Sequence, residues 1–77
     1  MYNEGLFIKG FADELSRKRE EQSLSLNQLA EKSRVSASFI VRIEKGERKN
    51  VSKEVIFKLA NALGINIVQL IEKSKKN

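Results

Sequence analysis

One local pattern marks four expected helix starts in this chain of 77 residues: a small polar residue has one apolar residue immediately before it and another four positions after it. In an α-helix the polar side chain caps the first turn, and the two apolar side chains pack together and fix the entry of the chain. The four polar residues are Ser25, Ser36, Ser52 and Asn66. Gln28 and Gln69 stand three residues after two of them, which predicts two reciprocal capping boxes. Most of the chain is therefore constrained to short helices.

The expected helix ends agree with these starts. Gly46 and Gly64 each follow an apolar period, where a residue without Cβ readily adopts the left-handed conformation that ends a helix. The helices that follow from these signals cover residues 26–33, 37–45, 53–63 and 67–73. A first helix ends near Gln22, and its start falls anywhere from Asn3 to Phe11, because two glycines there disfavour helix by about 1 kcal/mol each. With no proline and apolar residues three and four apart, the sequence predicts an all-α fold.

The expected core consists of apolar side chains at helical spacing: Phe11, Leu15, Leu24, Leu29, Ala30, Val35, Ile40, Ile43, Val55, Leu59, Ala60, Leu63, Ile65 and Leu70. A chain this short buries only roughly 60% of its unfolded surface, so one domain over residues 1–77 is expected. Residues 1–9 form either an N-terminal extension or an early start of the first helix. Residues 74–77 are expected to be a frayed basic tail.

Cysteine and histidine are absent from the chain. Their absence argues against disulfides, thiolate or imidazole metal sites and the usual pairs of nucleophile and base. Hydrolase chemistry at Ser36 or Ser38 would need a neighbouring base, which histidine usually provides. We therefore expect no catalytic residue, no metal, no cofactor and no enzymatic activity. Without a ligand-binding domain, no small-molecule ligand is expected either.

The longest uninterrupted apolar runs are three residues. A membrane-spanning helix needs roughly 20. No signal peptide is visible, so no membrane partner is expected and the default location is the cytoplasm.

The net charge of +5 lies in about a third of the chain. Residues 32–53 hold seven lysine and arginine residues and two glutamates, whereas the rest of the chain holds eight basic and eight acidic residues. A basic concentration of this kind is typical of a surface that meets the phosphates of nucleic acids.

Residues 24–46, with the sequence LSLNQLAEKSRVSASFIVRIEKG, predict two short amphipathic helices joined by a three-residue turn. On the second helix Phe39, Ile40 and Ile43 are spaced to face the core. The opposite face is small at its start and basic toward its end: Ala37, Ser38, Val41, Arg42 and Lys45. Small side chains let a helix N-terminus approach DNA closely, and Arg42 has the geometry to pair with guanine O6 and N7 in the major groove. In the alternative interpretation, Arg42 belongs to an ordinary solvated helix face.

The stretch from Arg19 to Ile71 resembles the Xre or Cro type of helix-turn-helix domain, found in lambdoid phage repressors and restriction–modification controllers. The resemblance rests on the segments REEQSLSLNQLAEKSRVS, FIVRIEKGER and KLANALGINIVQLI. It implies a compact five-helix bundle of the phage-repressor type that binds double-stranded DNA as a two-fold dimer.

The resemblance also implies roles for individual residues. By position it places base contacts on Ala37, Ser38 and Arg42, and an ion pair between Arg19 and Glu44. Where the family commonly has a glycine in the turn, this chain has Arg34. Either this arginine adopts a left-handed conformation or the turn differs.

Contacts to the DNA backbone are expected from the starts of the two helices and from the loop after the second one: Ser25, Gln28, Ser36, Lys45, Arg48 and Lys49. Contacts of this kind position a domain on the duplex without reading its sequence. In the alternative interpretation, residues 45–50 are only a solubilising turn.

A single domain of this size covers one DNA half-site, so we expect a homodimer. The last helix carries Ile67, Val68 and Ile71 beyond what the core requires, and we assign the dimer interface to them. The leading hypothesis is a homodimeric transcriptional regulator, such as a bacterial or phage repressor, acting on a short palindromic operator. The alternative is a protein-interaction module such as an antitoxin, with DNA binding as a secondary property.

Overall fold

Five helices make up the computed structural model, which describes residues 4–48 and 50–73. They are α1 (Glu4–Glu21), α2 (Leu26–Ser33), α3 (Ala37–Glu44), α4 (Lys53–Leu63) and α5 (Ile67–Lys73). The all-α prediction is confirmed, and the bounds of α2, α4 and α5 are those that the sequence predicted. Helix α3 ends one residue earlier than expected. Residues 74–77, the expected basic tail, lie outside the described residues.

Helix starts follow the capping pattern. Ser25, Ser36 and Ser52 have extended backbones, and each side chain accepts a hydrogen bond from the backbone N–H three residues on. At α5, the Asn66 side chain accepts the N–H of Gln69 at 3.1 Å. Among the described residues, the reciprocal bond of a capping box forms at Ser25 but not at Asn66, so the second predicted box is only half correct.

Gly46 and Gly64 end helices as predicted, with φ of 76° and 75°. After α3 the Gly46 N–H donates to the Ile43 carbonyl at 3.0 Å, and the Glu47 N–H donates to the Arg42 carbonyl at 2.9 Å. This pair of bonds satisfies carbonyls that the helix leaves open, and it reverses the direction of the chain directly behind α3.

Helix α1 begins at Glu4, near the early limit of the predicted range. Gly5 and Gly10 do not delay it, because packing compensates for their low helix propensity. Phe7 and Phe11 stack with ring centroids 6.2 Å apart. At Gly10 an added Cβ would lie 3.8 Å from a methyl carbon of Leu70, so α1 and α5 pack closely there.

The core lies where α1 packs against α3, α4 and α5, and where α2 packs against α3 and α4. Leu24, Ala30 and Val55, which the sequence placed in the core, are only half-buried and pack at its edge. The structure buries instead four side chains that the prediction omitted: Phe7, Ile8, Ala12 and Ile56. Two of these four, Phe7 and Ile8, follow from the early start of α1, which adds about two turns to the bundle.

Within the described residues no single helix is long and apolar enough to cross a membrane. Only α4 and α5 taken together reach that length and hydropathy, and they are bent by 116° at their junction.

Candidate nucleic-acid interface

Helix α3 presents one face to the core and the opposite face to solvent. Ile40 and Ile43 are fully buried, which fixes the rotation of the helix about its axis. Ser38, Arg42 and Lys45 are exposed, whereas Ala37 and Val41 are half-buried. The structure therefore places all five residues of the predicted groove face away from the fully buried side, with Arg42 one turn beyond the start of the helix.

The N-terminus of α3 is open to solvent. The Ser36 hydroxyl accepts the N–H of Phe39 at 3.2 Å and lies 3.5 Å from the hydroxyl of Ser38. One N–H of the first turn is thus satisfied. A capped turn leaves other backbone donors free to meet an anion, and the helix dipole favours negative charge there.

The turn between α2 and α3 sets the angle at which α3 is presented. Arg34 adopts the left-handed conformation with φ 64° and ψ 30°, which decides between the two possibilities that the sequence left open. Its N–H donates to the Ala30 carbonyl at 2.8 Å. The next residue, Val35, is buried, and its N–H donates to the buried hydroxyl of Ser33 at 3.2 Å. These bonds satisfy the backbone of the turn and fix its shape.

An ion pair connects the end of α1 to the end of α3. Arg19 donates from Nε to one oxygen of Glu44 at 2.8 Å and from Nη2 to the other at 3.0 Å, and its Nη1 donates to the carbonyl of Leu24 at 2.9 Å. The side chains are only 16% and 12% exposed. The bond to Glu44 raises the pKa of the Arg19 guanidinium further above its already high ordinary value. This is the residue pair that the family resemblance implied.

The ion pair also decides the charge of the candidate surface. Glu44 is one of only two acidic residues in the basic segment, and Arg19 engages its carboxylate below the surface. Six basic residues of the segment are exposed: Lys32, Arg34, Arg42, Lys45, Arg48 and Lys53. In residues 4–48 and 50–73, none of them lies within 4 Å of a carboxylate oxygen. The positive charge is therefore not neutralised by ion pairs within the described fold.

At the start of α2, the capping box determines which atoms remain for a ligand. The Ser25 N–H donates to Oε1 of Gln28 at 2.8 Å, and the Gln28 N–H donates to the Ser25 hydroxyl oxygen at 3.0 Å. The Oε1 atom of Gln28 and the hydroxyl oxygen of Ser25 thus each accept a hydrogen bond within the cap. The Gln28 amide NH2 group and the Ser25 hydroxyl proton are donors, which are the groups that a phosphate oxygen requires.

The loop behind α3 contains a contact that the sequence did not predict. The guanidinium carbon of Arg48 lies 4.9 Å from the centroid of the Phe39 ring. Phe39, which its helical spacing predicted to face the core, is only half-buried, and its ring is partly available to the loop. A cation nine positions after an aromatic residue is not a local helical pattern, so only the reversal of the chain at Gly46 brings the two together. Lys49, also predicted to contact the DNA backbone, lies outside the described residues.

Comparison with known proteins agrees with this geometry. Residues 15–70 match the family whose description is Helix-turn-helix. The chain belongs to the helix-turn-helix family. The resemblance inferred from the sequence is thereby confirmed, and the family comprises DNA-binding regulators and not enzymes. The chain is also 43% identical over 67 residues to the HTH-type transcriptional repressor RghR of Bacillus subtilis (strain 168). That match covers 87% of this chain and 50% of the relative, so the chain spans about half the length of that protein.

The helix-turn-helix domain has an apolar surface away from α3. Val68 on α5 is 67% exposed and Phe57 on α4 is 55% exposed. Ile67 and Ile71, the other two residues assigned to the dimer interface, are half-buried and line a groove together with Phe57. Of the three assigned residues only Val68 is largely solvent-exposed. Helical spacing did not place Phe57 in the predicted core, and no sequence signal assigned it to the interface.

Proposed function

We propose that this protein is a sequence-specific transcriptional regulator that binds double-stranded DNA with α3 in the major groove. The observation that carries the proposal is the exposed face of α3, surrounded by basic side chains that no carboxylate of the described fold neutralises. In helix-turn-helix proteins the second helix of the motif enters the major groove and its N-terminal residues reach base edges. Helix α3 is that helix here.

Base recognition is assigned to Ala37, Ser38 and Arg42. Arg42 is exposed, and its guanidinium can donate two parallel hydrogen bonds to O6 and N7 of guanine. Ser38, at the second position of α3, can donate to or accept from a base edge. Ala37 is small enough to let the helix N-terminus approach the groove.

Backbone contacts are assigned to groups on both sides of α3. Ser25, Gln28 and Ser36 offer hydroxyl or amide donors at helix starts, and the hydrogen bonds of the caps use their acceptor oxygens rather than these donors. Lys45 and Arg48 offer charged donors behind the helix, and we retain Lys49 in this set by its position in the sequence. Such contacts supply affinity and its salt dependence.

The active form is proposed to be a homodimer on a short palindromic operator. One domain of this size covers one half-site, and two-fold pairing doubles the contact with DNA. The exposed Val68, with Ile67 and Ile71 beside it, supplies the candidate interface on α5. The relative of similar sequence is named a transcriptional repressor, so we propose that binding represses transcription, inside the cytoplasm where DNA is accessible.

Selection of bound sequences from a pool of random duplexes tests this function. The expected result is an enriched palindrome whose half-sites contain a guanine that depends on Arg42. With Arg42→Ala, affinity for the selected duplex should fall by about 1 to 3 kcal/mol, and the preference at one position in each half-site should relax.

The matched control is Lys58→Ala, which removes one exposed cation from α4 without touching the α3 surface. It should leave base preference unchanged. If wild-type protein enriches no sequence, or if Arg42→Ala weakens binding to all duplexes equally, the assignment of base reading to α3 is wrong.

A further inference from the structure

The contact between Phe39 and Arg48 is the single cation–aromatic contact within residues 4–48 and 50–73. At 4.9 Å from the ring centroid, the guanidinium lies well within the roughly 6 Å at which a ring attracts a cation. No carboxylate of the described chain lies within 4 Å of Arg48. The ring of Phe39 is therefore the group in this part of the fold that can hold the arginine in place.

The fold sets up this contact from both sides. Phe39 is in the first turn of α3, between the groove face and the buried face, and its own N–H is fixed by Ser36. Gly46 reverses the chain behind α3, and the bond from Glu47 N–H to the Arg42 carbonyl ties the reversed segment back to the helix. Arg48 is thereby directed back toward the first turn of α3, where its guanidinium meets the Phe39 ring.

An arginine held in this way is still able to bind an anion. A ring engages a guanidinium through its flat face, whereas the five N–H donors lie in the guanidinium plane. Two parallel donors can then meet one phosphate group. An unrestrained arginine would lose most of its rotamer freedom on binding, and prior fixation by the ring reduces this loss.

We propose that Phe39 is a positioning residue for DNA binding, whose ring holds Arg48 ready to contact a backbone phosphate beside the recognition helix. The proposal rests on the proposed function. It adds that Phe39 raises affinity without touching DNA, and that it does so on any sequence, because a phosphate contact carries no base information.

The test measures affinity for two duplexes, one with the selected palindrome and one of unrelated sequence, over a series of salt concentrations. Phe39→Leu removes the ring and keeps an apolar side chain, whereas Phe39→Tyr keeps the ring. We expect Phe39→Leu to weaken binding to both duplexes by about two- to fivefold. This fold-change corresponds to the free energy of a partly exposed cation–aromatic contact. Phe39→Tyr should bind as the wild type does.

The salt dependence separates positioning from a structural role. Log affinity falls as log salt rises, and the loss of one phosphate contact makes this slope shallower by about 0.9. Arg48→Ala should therefore reduce the steepness of the slope by that amount. Phe39→Leu should reduce the steepness of the salt slope by only part of that amount. In the Arg48→Ala background, Phe39→Leu should have no further effect on affinity or slope.

Equal losses from Phe39→Leu with and without Arg48, an unchanged salt slope, or failure of tyrosine to substitute would each overturn the proposal. NMR of the free wild-type protein provides a measurement that needs no variant: the Arg48 side-chain protons should show an upfield ring-current shift. Its absence would also overturn the proposal. Failure of the proposed function is distinguishable, because the wild-type protein would then bind neither duplex with measurable affinity.

Discussion

Neutralising Glu44 should destabilise the whole domain, because it leaves the Arg19 guanidinium charged and mostly buried without its partner. The side chains are 16% and 12% exposed, so the pair lies between a surface ion pair, worth about 1 kcal/mol at most, and a fully buried one, whose disruption costs about 3 to 5 kcal/mol. We expect Glu44→Gln, which is nearly isosteric, to cost about 2 to 4 kcal/mol. A domain of this length is stable by roughly 4 to 12 kcal/mol in total.

Urea unfolding followed by circular dichroism measures this loss. A decrease of this size should also lower Tm by about 10 °C or more. Glu47→Gln is the matched control, since Glu47 is exposed in the loop directly behind α3, and its replacement should change stability by no more than about 0.5 kcal/mol.

A double-mutant cycle then tests whether the ion pair is the cause. Replacing both partners by apolar residues, as in Arg19→Met with Glu44→Leu, should cost much less than the sum of the two single changes, because no uncompensated charge remains. A loss below about 1 kcal/mol for Glu44→Gln, or additive effects in the cycle, would show that solvent screens the pair and would refute the reasoning from burial.

Two further predictions concern association and the turn. Val68→Asp should shift the protein toward monomer in sedimentation and weaken operator binding, since it places a charge on the most exposed apolar side chain of α5. Asn27→Asp, an exposed change on α2, should not affect sedimentation, and a fully dimeric Val68→Asp variant would place the interface elsewhere. Arg34→Gly should raise stability by up to about 1 kcal/mol in thermal unfolding, because relief of left-handed strain exceeds the entropy that glycine adds to the unfolded chain. A clear loss of stability would mean that the arginine side chain supports the turn.

Much of the fold could be predicted because its signals are local. A helix start depends on hydrogen bonds between residues three positions apart, as at Ser25 and Gln28. A helix end depends on one residue that tolerates positive φ, as at Gly46 and Gly64. The sequence does not define the start of α1, because the local signal there is weak. Two glycines weaken its local signal, and the stacking of Phe7 on Phe11 and the close packing against Leu70 decide the outcome.

Part of the candidate site could likewise be predicted from the sequence, and part of it could not. Periodicity alone placed Ser38, Arg42 and Lys45 opposite the buried side of α3, because the rotation of a helix is fixed by its apolar residues. It did not show that Phe39 is available to Arg48, nor that Phe57 is exposed on α4. Both facts depend on how far neighbouring elements cover a side chain, which helical spacing does not specify.

By itself, the sequence determined that the chain forms short capped helices and that its positive charge lies around the helix-turn-helix. Only the tertiary structure decided which charged side chains pair with each other and which remain exposed to solvent. Arg19 and Glu44 are 25 positions apart, and no local pattern joins them. Packing of α1 on α3 brings them into bidentate contact, which withdraws a carboxylate from the surface and leaves the cations beside α3 available to phosphates. The physical reason is that capping is a matter of neighbouring residues, whereas the charge of a surface depends on which side chains the fold buries together.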